Sequence, residues 1–112
     1  MSKINIQFTL FSAFYSPLIS TMTGGFLKEE GLDYDWSVAK PGVTAITALD
    51  DGSADVVQST LSQGFNTLNK GETPKCLHFA QINEMDGFFI TGRNAEPNFQ
   101  WSNLEGAEVL VH

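Results

Sequence analysis

Apolar and polar positions alternate from the first residues. Ile4, Ile6 and Phe8 face one way, with polar residues between them and Leu10-Phe11 after them. A period of two predicts a strand. The period then changes. Leu18, Ile19, Met22, Phe26 and Leu27 keep one helical face, opened by Ser16-Pro17 as N-cap and first helical position and stopped by Gly31. Gly24-Gly25 inside that helix would cost about 1 kcal/mol each relative to Ala, which points to close backbone packing. A second strand is predicted over Leu32 to Val38. A short helix opens at Gly42, with Val43, Ile46 and Leu49 on its buried side, and Gly52 ends it.

Ala54 to Val57 is a short continuous apolar run, the pattern of a strand covered on both faces. Thr60 and Gln63 have capping-box spacing, and Leu61, Phe65 and Leu68 carry a helix to Gly71. Pro74 bars its continuation. Leu77 to Ile82 and Phe88 to Thr91 are predicted as two more strands. Asn94 to Ser102 is a polar loop, and Glu108 to Val111 begins a further strand.

Alternating strands and helices predict an α/β fold: a mainly parallel open sheet with flanking helices and right-handed crossovers. The 112 residues are enough for one domain, which would bury roughly 65% of its unfolded surface. In such a sheet each strand's carboxyl end feeds a helix's amino end. The helix starts near Ser16, Gly42 and Thr60 therefore gather on one rim, where open α/β sheets hold ligands. Phe14 and Tyr15 would supply a flat wall with one polar tip. Gly42, Val43, Thr44, Ser59 and Thr60 would leave room and offer hydrogen bonds. Asn83 and Glu84, with Met85 and Asp86, close the fourth strand at the same rim. Each has a plainer role: Ser16 and Thr60 as caps, Gly42 in its turn, Phe14 in the core, Glu84 in a solvated turn. Asp55, behind Gly52-Ser53-Ala54, reads as turn chemistry.

The formal net charge is −7. No basic stripe offsets phosphate repulsion, so nucleic acid and anionic membrane surfaces are poor partners. No apolar run approaches the roughly 20 residues that span a bilayer, so membrane insertion is not expected. The single cysteine, Cys76, leaves no internal disulfide and no Cys-rich zinc site, and its apolar surroundings predict a buried thiol. His78, between Leu77 and Phe79, reads as a core histidine. No phosphate-binding glycine loop, nucleophile triad or metal-loop spacing is present, so no catalytic residue, metal ligand or cofactor is assigned.

Four landmarks in order carry a family resemblance. Phe14-Tyr15-Ser16-Pro17 follows the first strand. Phe26-Leu27-Lys28-Glu29-Glu30-Gly31-Leu32 resembles an F-x-x-E-G-L helix end. Gly42 to Val57 resembles G-x-x-A-x-x-A-L-x-x-G-x-x-D-x-x. Asn103-Leu104-Glu105-Gly106-Ala107-Glu108-Val109 resembles D-L-K-G-K-K-V. Together they resemble the opening of type II periplasmic solute-binding proteins, in the branch that includes the nitrate, sulfonate and thiamine-precursor binding proteins.

The resemblance implies that residues 1–112 form a single α/β domain equivalent to most of a first lobe. Residues 103–112 resemble the crossover towards a second lobe. It implies a small-molecule receptor of an ABC-type uptake system, with an ABC permease as partner. The ligand would be a small polar, heteroaromatic or anionic metabolite, held at Phe14, Tyr15, Ser16, Gly42, Val43, Thr44, Ser59, Thr60, Asn83 and Glu84. An enzyme on the same fold, of thiamine-precursor synthase or lyase type, and an interaction module without a small ligand are the alternatives. Periplasmic location follows from the resemblance, whereas the lack of a signal peptide before the first strand points to the cytoplasm. An uncovered sheet edge predicts a homo-oligomer for a half-cleft of this kind.

Overall fold

A computed structural model describes residues 2–84 and 89–110. It contains three parallel strands, β1 (Ser2–Phe8), β2 (Leu32–Val38) and β3 (Val56–Gln58), in the spatial order β2-β1-β3. β1 pairs with β2 along its whole length, from Ser2 opposite Leu32 to Phe8 opposite Val38. It pairs with β3 from Ile6 opposite Val56 to Phe8 opposite Gln58. The three carboxyl ends are thus level at Phe8, Val38 and Gln58. The ladder continues one residue further, since Ala39 N donates to Phe8 O (2.8 Å) and Thr9 N to Gln58 O (3.3 Å). The α/β fold with a parallel open sheet is as the residue pattern predicts.

The crossover from β1 to β2 and the return from β2 to β3 run in opposite directions. Right-handed connections therefore put their helices on opposite faces of the sheet. On one face, Ile6, Phe8 and Met22 form the core, with Ile4, Tyr15, Leu18, Ile19, Leu27, Tyr34 and Val56 packed around them. Met22, Leu18 and Ile19 come from α1 (Ser16–Thr23), and Leu27 from α2 (Phe26–Glu29). The Tyr34 hydroxyl donates to Met22 O at 3.1 Å, fastening β2 to the end of α1. On the other face, α3 (Ala45–Asp50) buries Ala45 and Ala48, while Ile46 and Leu49 are half-buried. Small side chains, rather than the predicted Val43, Ile46 and Leu49, allow its close approach.

The helix expected from Pro17 to Glu30 is two helices. Gly24 closes α1, and Gly25 at φ +85° turns the chain into α2. A Cβ on Gly24 would meet the Phe26 ring at 2.6 Å and Ser20 O at 2.7 Å, so the glycines serve a tight corner. β3 begins at Val56, two residues after the predicted start. Asp55 precedes it, accepting hydrogen bonds from Asn5 N (2.8 Å) and Asn5 Nδ2 (3.3 Å) and so tying β3 to the middle of β1.

After α4 (Ser62–Asn69) the described residues hold no strand. Leu77 to Ile82, Phe89 to Thr91 and Glu108 to Leu110 were expected to be strands and have no ladder partner. Phe88 and Val111, the remaining members of those runs, lie outside the described residues. One 3-10 turn, Trp101–Leu104, forms where a loop was expected. His78 is exposed and Cys76 half-buried, so neither sits in a core as expected. The radius of gyration is 18.4 Å, against about 13 Å for a compact chain of this length.

The two sheet edges differ in chemistry. β2 carries Asp33 and Asp35, and Asp35 pairs with Lys3 at 2.9 Å. That hydrogen bond, helped by the charges of Asp35 and Asp33, holds the exposed Lys3 ammonium above the ordinary lysine range. Charges on an edge strand discourage further pairing. β3 offers Val56-Val57-Gln58, which is short and uncharged.

Candidate functional site

Three loops leave the level carboxyl ends of the strands. The first, after β1, forms a 3-10 turn, Ala13–Tyr15. Ser12 caps it, its Oγ accepting from Phe14 N at 3.2 Å. The Ser16 N–H is bonded to Ala13 O, and Tyr15 is the N-cap position of α1. Ser16 therefore does not cap the helix as expected: the 3-10 turn runs directly into α1 and the capping task moves four residues upstream. Phe14 is 43% exposed and not in the core. Its ring meets that of half-buried Tyr15 edge to face, with centroids 5.3 Å apart at 86°.

The second loop, after β2, is a tight turn in which Val43 N donates to Lys40 O at 3.0 Å. Pro41 and Gly42 (φ +83°) fill its central positions, the residue chemistry of a type II turn. Thr44 then caps α3, its Oγ1 accepting from Thr47 N at 3.2 Å.

The third loop, after β3, holds Ser59 and Thr60. The capping box expected between Thr60 and Gln63 is absent, because α4 starts at Ser62. Thr60 Oγ1 instead pairs with Ser62 Oγ at 2.7 Å. Gln63 Oε1 reaches across to accept from Ala45 N at 2.8 Å. Ala45 N is one of the unpaired donors every helix start exposes, and Gln63 joins the second loop to the third by satisfying it. Spacing within the sequence carried no trace of this role, since the two residues stand 18 apart on separate helices.

Asn83 reaches the same rim from the later part of the chain, its Nδ2 donating to Phe14 O at 2.9 Å. Glu84 follows it and is exposed. Met85 and Asp86 lie outside the described residues. The three loops that hold eight of the ten predicted residues thus leave one edge of the sheet, and Asn83, from a segment that follows no strand, is bonded to the first of them.

A separate groove of about 560 Å³ runs along the free edge of β3, between α3 and the segment from Lys75 to Phe79. Of the ten rim residues only Ser59 borders it. It follows the uncovered strand edge, touching the start of α3 at Ala45 and the first turn of α4 at Gly64, and an uncovered edge accounts for it. Among the described residues no group of three or more His, Cys, Asp or Glu side chains is gathered to hold a metal ion, and no helix is long and apolar enough to cross a membrane.

No family model matches the chain, and no solved structure matches it. It is similar to a protein of Bacillus subtilis (strain 168) named "Putative binding protein YtlA", at 29% identity over 110 residues. The alignment takes in 98% of this chain and 33% of that protein, so the chain spans about a third of the relative's length. The chain therefore resembles part of a binding protein.

Proposed function

We propose that this chain is the ligand-facing part of the first lobe of a solute-binding protein, serving an ABC-type uptake system through its permease. One observation carries the proposal. Three parallel strands end level at Phe8, Val38 and Gln58, so that the loops with Tyr15, Thr44 and Thr60 leave a common edge. The likeness to a third of a named binding protein supports the same reading. The ligand is a small metabolite that rests on the Phe14-Tyr15 wall and is hydrogen-bonded from the second and third loops. A lone rim encloses one side of such a ligand, whereas good sites bury roughly 70–90% of its surface. A second lobe closing over the rim supplies the other side. The protein is proposed as a receptor and not an enzyme.

The test is a thermal-shift screen of the intact protein against nitrate, alkanesulfonates, pyrimidines and amino acids. A true ligand at a hundred times its dissociation constant stabilises by about 2.7 kcal/mol, a shift of several degrees. The expected result is a shift with at least one class, lost in Tyr15→Ala while the variant remains folded by circular dichroism. No shift across the panel would put the interaction-module reading ahead.

A further inference from the structure

We infer that residues 77–82 are a strap that closes onto β3 as a fourth parallel strand, and that the groove beside β3 is the open position of its seat. The two sheet edges decide where another strand can join. The β2 edge is charged, with Asp33, Asp35 and the Lys3 ammonium bonded to Asp35. The β3 edge, Val56–Gln58, carries no charge and has no neighbour beyond it among the described residues. Asp55 N is bonded to Asn5 O, so the alternation of backbone groups along a strand turns the next N–H, that of Val56, to the open side. An uncharged open edge is a template for pairing.

The placement of residues 77–82 makes them the occupant. α4 lies beside α3, joined to it by the bond from Ala45 N to Gln63 Oε1. A path from β3 through α4 to the outer side of β3 therefore crosses the sheet in the same direction and on the same face as the path from β2 through α3, and has the same right-handed sense. Direction agrees as well. α3 starts at the rim and ends at Asp50, at the end of the sheet where β3 begins. There Lys75 Nζ stands 3.9 Å from Asp50 Oδ1, while Asn83 Nδ2 is bonded to Phe14 O at the rim. The chain between them runs the same way as β3. It holds no Asp, Glu, Lys or Arg, and it leaves Leu77 and Phe79 88% and 77% exposed. Val56 and Val57 border the groove on one side, Leu77 and Phe79 on the other.

Gly64 lets the strap come close to α4, since a Cβ there would sit 3.1 Å from His78 Nε2. With His78 turned towards α4, alternation puts Leu77 and Phe79 on the opposite face, at the outer margin of the sheet. Closure pairs backbone there without enclosing Phe79, so its signature lies in the amides. It also brings Asn83 and Glu84 out at the carboxyl edge as a fourth loop, whether or not the rim holds a small ligand.

Amide hydrogen exchange of the intact protein, followed by NMR, tests this. Alternate amides of residues 77–82, and that of Val56, should exchange about tenfold or more slowly than an unstructured chain. Phe79→Pro and Ala80→Pro are compared separately, because one of these two neighbouring N–H groups must face β3. One of the two should abolish the slowing on both sides of the groove, while the amides of Ile6 and Phe8 stay protected and show the sheet intact. Amides of residues 77–82 that exchange as an unstructured chain would overturn the closure. So would slow exchange at Val56 that survives both prolines; if that slowing rises with protein concentration, a second copy of the chain holds the edge instead.

Discussion

Residues 2–70 and residues 72–110 both carry large apolar side chains, but among the described residues only the first region encloses them. Ile6, Phe8 and Met22 are buried, and Phe8 is wholly so. Leu77, Phe79, Phe89, Ile90, Trp101 and Leu110 are exposed. Apolar content therefore does not by itself make a core. In the first region each strand has a neighbour in register, and a helix is delivered back over each face. Leu77 to Ile82 is predicted as a strand, as β1 is. It lies across the groove from the β3 edge without bonding to it. A strand is a relation between two segments, and half of that relation is not local.

The strongest way to break this comparison is to cut into both regions with the same substitution. Phe8→Ala empties a fully enclosed site on the central strand and should destabilise by about 3–5 kcal/mol. Phe79→Ala, at a side chain 77% exposed, should change stability by no more than about 0.5 kcal/mol. Urea denaturation of the two variants measures both. Equal losses would mean that the later region packs a core of its own, and the contrast would be gone.

The same distinction decides what could be read from the sequence. β2 matches its predicted limits, Leu32–Val38, because Gly31 and the following Lys40-Pro41-Gly42 bound it chemically. β1 was legible from Ile4, Ile6 and Phe8 alone. The level rim followed from the order of elements. The corner at Gly24-Gly25 was misread because the apolar spacing continues through it. Only the approach of the Phe26 ring and Ser20 O to Gly24 shows why the chain turns there. At the rim, Ser16 and Thr60 looked like caps from their neighbours, yet Ser12 holds the first turn and Gln63 serves a different helix. Local rules named the right residue types and missed which backbone group each one meets.

Helix starts sharpen the comparison at intermediate cost. Gln63 Oε1 accepts from Ala45 N across 18 residues at a half-buried site. Asn103 Oδ1 accepts from Gln100 N within an exposed turn. Gln63→Ala leaves the α3 donor without its partner and should lose about 1–2 kcal/mol. Asn103→Ala unravels one 3-10 turn and should leave global stability within about 0.5 kcal/mol. Thermal melts of both variants give the difference. A loss at Asn103 comparable to that at Gln63 would tie the later turn to the folded core.

The smallest effect lies where the two regions meet. Asn83 Nδ2 donates to Phe14 O across 69 positions of sequence, at an exposed site. Nearby in the chain, Lys75 Nζ stands 3.9 Å from Asp50 Oδ1, with both side chains largely in water. An exposed ion pair of that length adds almost nothing, because solvent screens it and two long side chains must be held still. The amide-to-carbonyl bond is neutral, short and directional, and Asn83→Ala should cost about 0.5 kcal/mol. Its larger consequence is positional. Phe14 and Tyr15 share the turn that Asn83 holds, so the variant should shift the backbone amide resonances of residues 13–16 while those of α3 stay in place. Lys75→Gln should shift neither set. If Asn83→Ala left residues 13–16 unmoved, the later region would not help to shape the rim, and the proposed ligand wall would belong to the first region alone.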